Sequence, residues 1–419
     1  MKVLLSVFEC NPYRGSDSYV GWSYVKNMSR LNDVYALTRT DNKEDIEQYL
    51  NTHPELSRRV HFTFVDRSRF FSEFLYKINR YLGFLGSYFV WQRAAANAAK
   101  KLCKEYDISV CHHVTIADFR CAGYLWKCGK PFVFGPVGGG QETPSCLKEY
   151  VKGHEKSEQF RSTMNKLTTL LPGYRRALRK ASVIYSSNDE TTEYISRRMK
   201  GMDTSKLIQL TELGIDTDYL SEREGLCKEQ SDTVHIVVSG RLIYRKGIDL
   251  LLDAVKRVET DVPFVVDIFG EGNQEQYLKK KSLECGLQEK VLFHGKVDFE
   301  QMQTQYREAD IYILPSLRET TGTAVFEAMA NKLPVIALNQ NGVKHIVEND
   351  AGILVDVQSK EQILSDFAEA IKTLIEDHAL RVKLGECGYQ KIREKYTWES
   401  RVKMMNNVYC DLCKEVKIR

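Results

Sequence analysis

The 419-residue chain has no apolar run approaching the eighteen or so residues needed to cross a bilayer, so no transmembrane helix is expected. It carries no short internal repeat and no low-complexity tract, which argues against solenoid and disordered architectures. Glycine-rich turns are present, but none has the spacing of a dinucleotide fingerprint: the run Gly135 to Gln141 is wrongly spaced, and Gly270-Glu271-Gly272 lacks the third glycine. No groove-reading or RNA-binding motif accompanies the basic residues, so nucleic acid is not an expected partner. The eleven cysteines include a lone CxxC, Cys410 to Cys413, without a second pair or a nearby histidine, and read as reduced core residues of a cytosolic protein. Met1 to Phe8 is an apolar run broken at Glu9 with no small-residue cleavage site, and reads as a first buried strand, not as an export signal.

What is present is ordinary in bulk and uneven in placement. Apolar residues make up 43% and charged residues 28%, the balance of a globular protein, and 419 residues exceed what one core fills, so two domains are expected. Up to Leu213 there are 32 Lys and Arg against 22 Asp and Glu, and beyond it 28 against 34. That asymmetry points the first half toward an anionic surface.

Strand-like runs recur throughout, separated by helical patterns, which is the alternation of parallel doubly wound sheets. In the first half they fall at 3–8, 34–37, 61–65, 109–112, 132–134, 183–186 and 207–210; in the second at 235–239, 264–269, 291–294, 311–314, 334–337 and 353–355. The fold class is therefore α/β, with two Rossmann-like units in series. Residues 1–213 form the first domain, 214–395 the second, and 396–419 a closing amphipathic helix. The polar stretch Ser221 to Asp232 is the linker candidate, with the hinge near Leu213 and Gly214.

Two segments carry chemistry in the second half. After the strand at Ile311 to Leu314, the block Arg318 to Leu333 sets Glu319 and Glu327 eight apart around a glycine-containing loop, at the strand edge where α/β sheets bind ligands. Two such acids can grip hydroxyl groups at opposite ends of one sugar nucleotide. After the strand at His235 to Ser239 come Arg241 and Lys246 ahead of a helix; cations there oppose the helix dipole unless an anion is bound between them. At about 4 Å and an effective dielectric near 20, each supplies roughly 4 kcal/mol of raw attraction to a departing diphosphate.

Gly240 to Gly247, Phe269 to Gly272, Val291 to Gly295 and the Glu319 to Glu327 block together resemble the signature set of retaining glycosyltransferases of family 4, which have the GT-B fold. The resemblance is specific in the second half and thinner in the first. It implies that Arg241 and Lys246 hold the donor diphosphate, that Glu319 contacts the transferred sugar, and that Glu327 holds the ribose hydroxyls. Gly272, His294, Thr321, Gly322 and Thr323 complete the donor wall, and neither metal nor cofactor is implied. The family's interdomain crossover accounts for Asp216-Thr217-Asp218 better than a metal site does. The closing helix is expected to return to the first domain.

In the first half, Asn11 to Asp17 follows the first strand, and Gly15 there lets backbone approach a ligand; by resemblance this loop faces the donor across the interdomain cleft. Aligned from Asp107, His112 in preference to His113 falls on the family's cleft histidine, with the implied role of positioning the reacting sugar. Gly135 to Gln141 resembles an element of a branch acting in bacterial surface-polysaccharide assembly, and is either a structural turn or a cleft-lining loop. Basic and aromatic residues alternate from Arg67 to Arg93, joined by Lys166 to Lys180, a pattern suited to docking on an anionic membrane surface.

The expectation is a metal-independent transferase at the cytoplasmic face, peripheral to the inner membrane surface. It takes a nucleotide-activated sugar, UDP-linked, and passes it with retention to a saccharide or lipid-linked saccharide acceptor. A GT-B nucleotide-sugar epimerase is the first alternative and a non-enzymatic sugar-binding module the second.

Overall fold

The computed structural model describes residues 1–15, 17–66, 80–228 and 230–418. They fall into two compact units: residues 1–140, 162–213 and 398–419 form the first, and 141–161 with 214–397 the second.

The first unit is a seven-stranded parallel sheet of β1 (Lys2–Val7), β2 (Asp33–Arg39), β3 (Val60–Val65), β4 (Val110–Thr115), β5 (Phe132–Val137), β6 (Val183–Ser186) and β7 (Leu207–Gln209), in the order β3-β2-β1-β4-β5-β6-β7. Its central strands are apolar on both faces because helices cover both, as parallel sheets require. One face packs Leu4, Phe8, Trp91 and Phe134. The other packs Val3, Leu5, Val110 and Val133 with Trp398, Val402, Met405 and Tyr409 of the last helix, Trp398–Ile418.

The second unit is a six-stranded parallel sheet of β8 (Val234–Ser239), β9 (Phe264–Phe269), β10 (Val291–Gly295), β11 (Ile311–Leu314), β12 (Val335–Leu338) and β13 (Gly352–Val355), ordered β10-β9-β8-β11-β12-β13. All thirteen runs read from the sequence are strands, and the α/β class with two Rossmann-like sheets is what the chain adopts. Local chemistry starts the helices: Asp298 and Gln301 form a reciprocal capping box on the helix Phe299–Glu308, and the Ser359 side chain caps Lys360–Glu376.

Three boundaries differ from the sequence reading. Residues 141–161, assigned there to the first domain, cluster with the second unit. Leu147, Tyr150 and Val151 bury in its core, the Tyr150 hydroxyl donates to Asp253 (2.8 Å), and Lys360 pairs with Glu149 (2.8 Å). Contacts so distant in sequence leave no local signature. The linker candidate Ser221 to Asp232 is packed structure over its described residues: Arg223 is buried and donates to Asn331 (3.1 Å), and the Lys228 ammonium donates to the Tyr306, Arg307 and Ala309 carbonyls. Of the basic aromatic stretch, residues 67–79 lie outside the described residues. Tyr88 and Trp91 are core side chains set edge-on to Phe8, so their aromatic surface is spent on packing and is not offered to a membrane.

Candidate active site

In the second unit the strand order reverses between β8 and β11, and the loops leaving these neighbours diverge. A crevice opens at such a switch point, at the carboxyl ends of the strands. Here it is a cavity of 590 Å³ whose lining includes Arg241, Arg245 and Lys246 from the first loop and Glu319, Thr323 and Glu327 from the second. A larger, open depression of 860 Å³ in the first unit is edged by Arg39, Asp41, Lys43 and Glu44. Mixed surface charges of that kind describe a solvated face and not a reacting centre.

A glycine makes the close approach of the two loops possible. Gly247 has φ of 65°, and a Cβ there would lie 2.1 Å from the Pro315 carbonyl oxygen. Beside it the Leu317 amide donates to the Arg245 carbonyl (3.0 Å). The result is an ion cluster: Lys246 donates to the Glu319 carboxylate and Arg245 stands 3.9 Å from the same oxygen. Burial works against the charged carboxylate, but Lys246 and then Arg245 outweigh it and hold Glu319 below the usual carboxylate range. A guanidinium at that distance is worth roughly 4 kcal/mol of attraction at an effective dielectric near 20, enough to decide the sign. The Glu319 amide donates to Asn341 Oδ1 (2.9 Å), which fixes the backbone beneath the pair.

Glu327 is the opposite case. It sits in the helix Thr323–Ala330, and burial pushes its carboxyl up to about 7, against a hydrogen bond from Tyr306 that favours the charged form. Tyr306 also meets Ser239 Oγ (2.7 Å), joining the end of β8 to the cavity floor. One acid is therefore ionised and cation-bound, while the other titrates near neutrality. Gly322, with φ of 89°, caps that helix, so the amides of its first turn open on the cavity where Gly322, Thr323 and Ala324 line it.

Residues 141–161 brace this arrangement. Glu158 accepts from Arg318 (2.7 Å) and from the Tyr244 hydroxyl (2.7 Å), one partner on each loop, and Gln141 donates to Thr320 Oγ1 (3.0 Å).

The structure thus brings Arg241, Lys246, Glu319, Gly322, Thr323 and Glu327 to one cavity. It does not bring the others. Thr321 is fully buried and Gly272 does not line the cavity; a Cβ on Gly272 would fall 2.2 Å from the Leu242 carbonyl oxygen, so this glycine packs one strand-end loop on another. His294 is outside the lining, tied through Nε2 to Asp267 (2.7 Å) and stacked on Phe269. Gly15 lies in the first unit on an exposed loop where a Cβ would meet nothing, so its backbone imposes no need for glycine.

His112 requires the clearest correction. The sequence reading ended its strand at His112, but β4 runs on to Thr115, which leaves the ring inside the sheet core. It has no exposed surface, and its nitrogens meet the Tyr409 hydroxyl (2.5 Å) and the Gly135 carbonyl (2.6 Å). Burial lowers its pKa to about 4, so it is a neutral structural imidazole with no lone pair for a substrate. His113 is equally buried, against the Tyr88 hydroxyl (3.1 Å).

Arg245, Phe299, Met302 and Tyr306 line the cavity without having been singled out. For the last three a signal existed: positions 299, 302 and 306 fall on one helical face.

Residues 227–391 match the family model of glycosyl transferases group 1. That segment contains the cavity and every residue lining it. An uncharacterized glycosyltransferase of Methanocaldococcus jannaschii is 29% identical over 181 residues, covering 43% of this chain and 45% of the relative. A D-inositol 3-phosphate glycosyltransferase of Xylanimonas cellulosilytica is 26% identical over 250 residues, covering 56% of this chain and 57% of the relative. The chain spans about half the length of these curated relatives. Among solved structures, HepE of Anabaena in complex with UDP superposes with a TM-score of 0.64 at 17% identity, over 98% of this chain and 100% of HepE, which shows the shared GT-B fold. No helix among the described residues is long and apolar enough to cross a membrane.

Proposed function

We propose that the protein is a glycosyltransferase that takes a UDP-linked sugar and transfers it with retention to a saccharide acceptor held by the first unit. The observation that carries this reading is the pairing of two differently charged acids with three cations in one cavity at the β8–β11 switch point. A nucleoside diphosphate fits that chemistry. Its pyrophosphate meets Arg241, Arg245, Lys246 and the helix amides after Gly322, where side-chain cations stabilise the leaving diphosphate in place of a metal. Glu327 accepts from ribose hydroxyls, which favours its charged form, and Glu319 lies where a sugar hydroxyl can donate to it. The Phe299 and Met302 side chains supply an apolar wall for the base.

The acceptor is a lipid-linked saccharide of surface polysaccharide assembly, met at the cytosolic membrane face. Supporting this are the exposed Leu167, Leu170 and Leu171, beside a helix, Pro172–Lys180, that carries Arg175, Arg176, Arg179 and Lys180. A panel of nucleotide sugars screened by thermal shift identifies the donor, because a ligand bound to the native state raises the melting temperature. Acceptor-dependent release of UDP follows with membrane lipid extracts as acceptor. A panel in which no nucleotide shifts the melting temperature rejects the donor site; conversion of a donor into a second nucleotide sugar without acceptor rejects transfer.

A further inference from the structure

Three cysteines far apart in sequence converge in the first unit. Cys103 lies near the end of the helix Arg80–Glu105, Cys111 in β4, and Cys128 closes the 3-10 turn Leu125–Cys128. Their Sγ atoms all lie within 4.8 Å of one another, and Cys103 and Cys111 are 3.8 Å apart. A metal–thiolate bond is about 2.3 Å, so three sulfurs around one ion stand roughly 4 Å apart in a trigonal or tetrahedral arrangement. The observed spacing is already that of a ligand triangle. Cys111 forms its buried corner, while Cys103 and Cys128 are half-buried, which leaves an approach from solvent. Hydrogen bonds from Cys111 and Cys128, with Lys130 nearby, favour the thiolate at Cys103. Sequence inspection turns to Cys410 and Cys413 because they form a CxxC; the spacing of 103, 111 and 128 matches no ligand pattern, since helix, strand and turn assemble it only in the fold.

We infer that Cys103, Cys111 and Cys128 form a trithiolate site for one thiophilic d10 metal ion, zinc(II) or copper(I). Three soft sulfur donors select these ions over magnesium, calcium or manganese. The ion replaces the thiol protons, so each site filled releases up to three protons to solvent while forming three metal–sulfur bonds. It ties helix, strand and turn together on the side of the sheet away from any role in sugar transfer, so the inference stands apart from the donor site and is tested without it.

The full chain, reduced and kept under argon, is titrated with cobalt(II) as a zinc surrogate and separately with copper(I) against a competing chelator. Expected is one equivalent per chain, with thiolate-to-cobalt charge-transfer absorption or copper(I) retention, and proton release on binding. Saturation by zinc displacing cobalt assigns zinc; retention of copper(I) alone assigns copper. Cys103→Ser and Cys128→Ser, whose folding is checked by circular dichroism, each weaken binding by about 100-fold or more, while Cys410→Ser with Cys413→Ser leaves it unchanged. Binding that survives both single substitutions overturns the site. So does a metal-free chain in which two of the three thiols are lost to titration and restored by reductant, since that identifies a disulfide pair.

Discussion

The Lys246 ammonium reaches the Glu319 carboxylate across the gap between the loops that leave β8 and β11, with Arg245 3.9 Å from the same oxygen. Two adjacent cations on one carboxylate leave positive charge unspent, which is what an incoming diphosphate needs. Lys246→Ala is expected to weaken UDP binding and lower kcat/KM by about 100-fold, as loss of a single charge-stabilising donor does. The same pair sets an acid limit. Glu319 is held below its ordinary pKa, so its stabilisation is present above about 4.5, the unfolded value, and is lost as pH falls through its lower folded value. Calorimetric titration with UDP and urea unfolding at pH 7 and pH 4 measure both effects; unchanged UDP affinity in Lys246→Ala would place the diphosphate elsewhere.

Glu327 titrates near 7 because burial disfavours its charge. A raised carboxyl means the fold binds a proton more tightly than the unfolded chain does. Stability should therefore decline as pH rises from about 4.5 to about 7, by on the order of 3 kcal/mol at about 1.4 per unit, and level off above. Ribose hydroxyls donating to the carboxylate favour its ionised form, so UDP binding near pH 6.5 should expel a proton. Calorimetry in two buffers of different ionisation enthalpy reads this directly. Glu327→Gln should abolish the proton release and flatten the stability profile. Release of the same size in the variant would assign it to another group.

The strands were legible because parallel strands covered on both faces are near-continuous apolar runs, as in Ile311 to Leu314 and Phe264 to Phe269. Arg241, Lys246, Glu319 and Glu327 were legible because each follows a strand end by a few residues, so local sequence places them at the crevice. Glu158 was not, since its partners Tyr244 and Arg318 lie 86 and 160 residues away and no spacing announces a brace. His112 was misplaced by three residues of strand. A histidine at a strand end and one in mid-strand differ only in where the ladder stops, and the Val114 and Thr115 that extend β4 are also ordinary loop-entry residues.

His112 gives the converse test, a stability effect without a binding effect. Its folded pKa is depressed to about 4 by burial, so its contribution is complete above the unfolded value near 6.5 and is lost as pH falls toward 4, on the order of 3 kcal/mol in all. His112→Ala should lower the urea midpoint at pH 7 by the equivalent of about 2–4 kcal/mol while leaving UDP affinity unchanged. Tyr409→Phe, which removes one hydrogen bond to the ring, should cost about 1 kcal/mol. A His112 variant with native stability and no transfer would restore the ring to the reacting centre.

Gly272 separates packing from ligand contact at the other strand edge. A Cβ there would meet the Leu242 carbonyl oxygen at 2.2 Å, its carbon at 2.6 Å and its amide nitrogen at 2.8 Å, all backbone atoms that cannot rotate away. The loop after β9 must then back off the loop after β8, where the Leu242 amide donates to Glu271 (2.9 Å) and Gln274 donates to Leu242 (3.0 Å). Gly272→Ala should therefore destabilise the second unit by about 1–3 kcal/mol. UDP affinity should fall with it, because Arg241 rides on the displaced loop. Gly225→Ala, whose Cβ meets nothing within 4 Å, is the control and should be neutral or slightly stabilising. Were Gly272 instead needed for direct approach of phosphate to backbone, its alanine variant would lose UDP affinity at an unchanged urea midpoint.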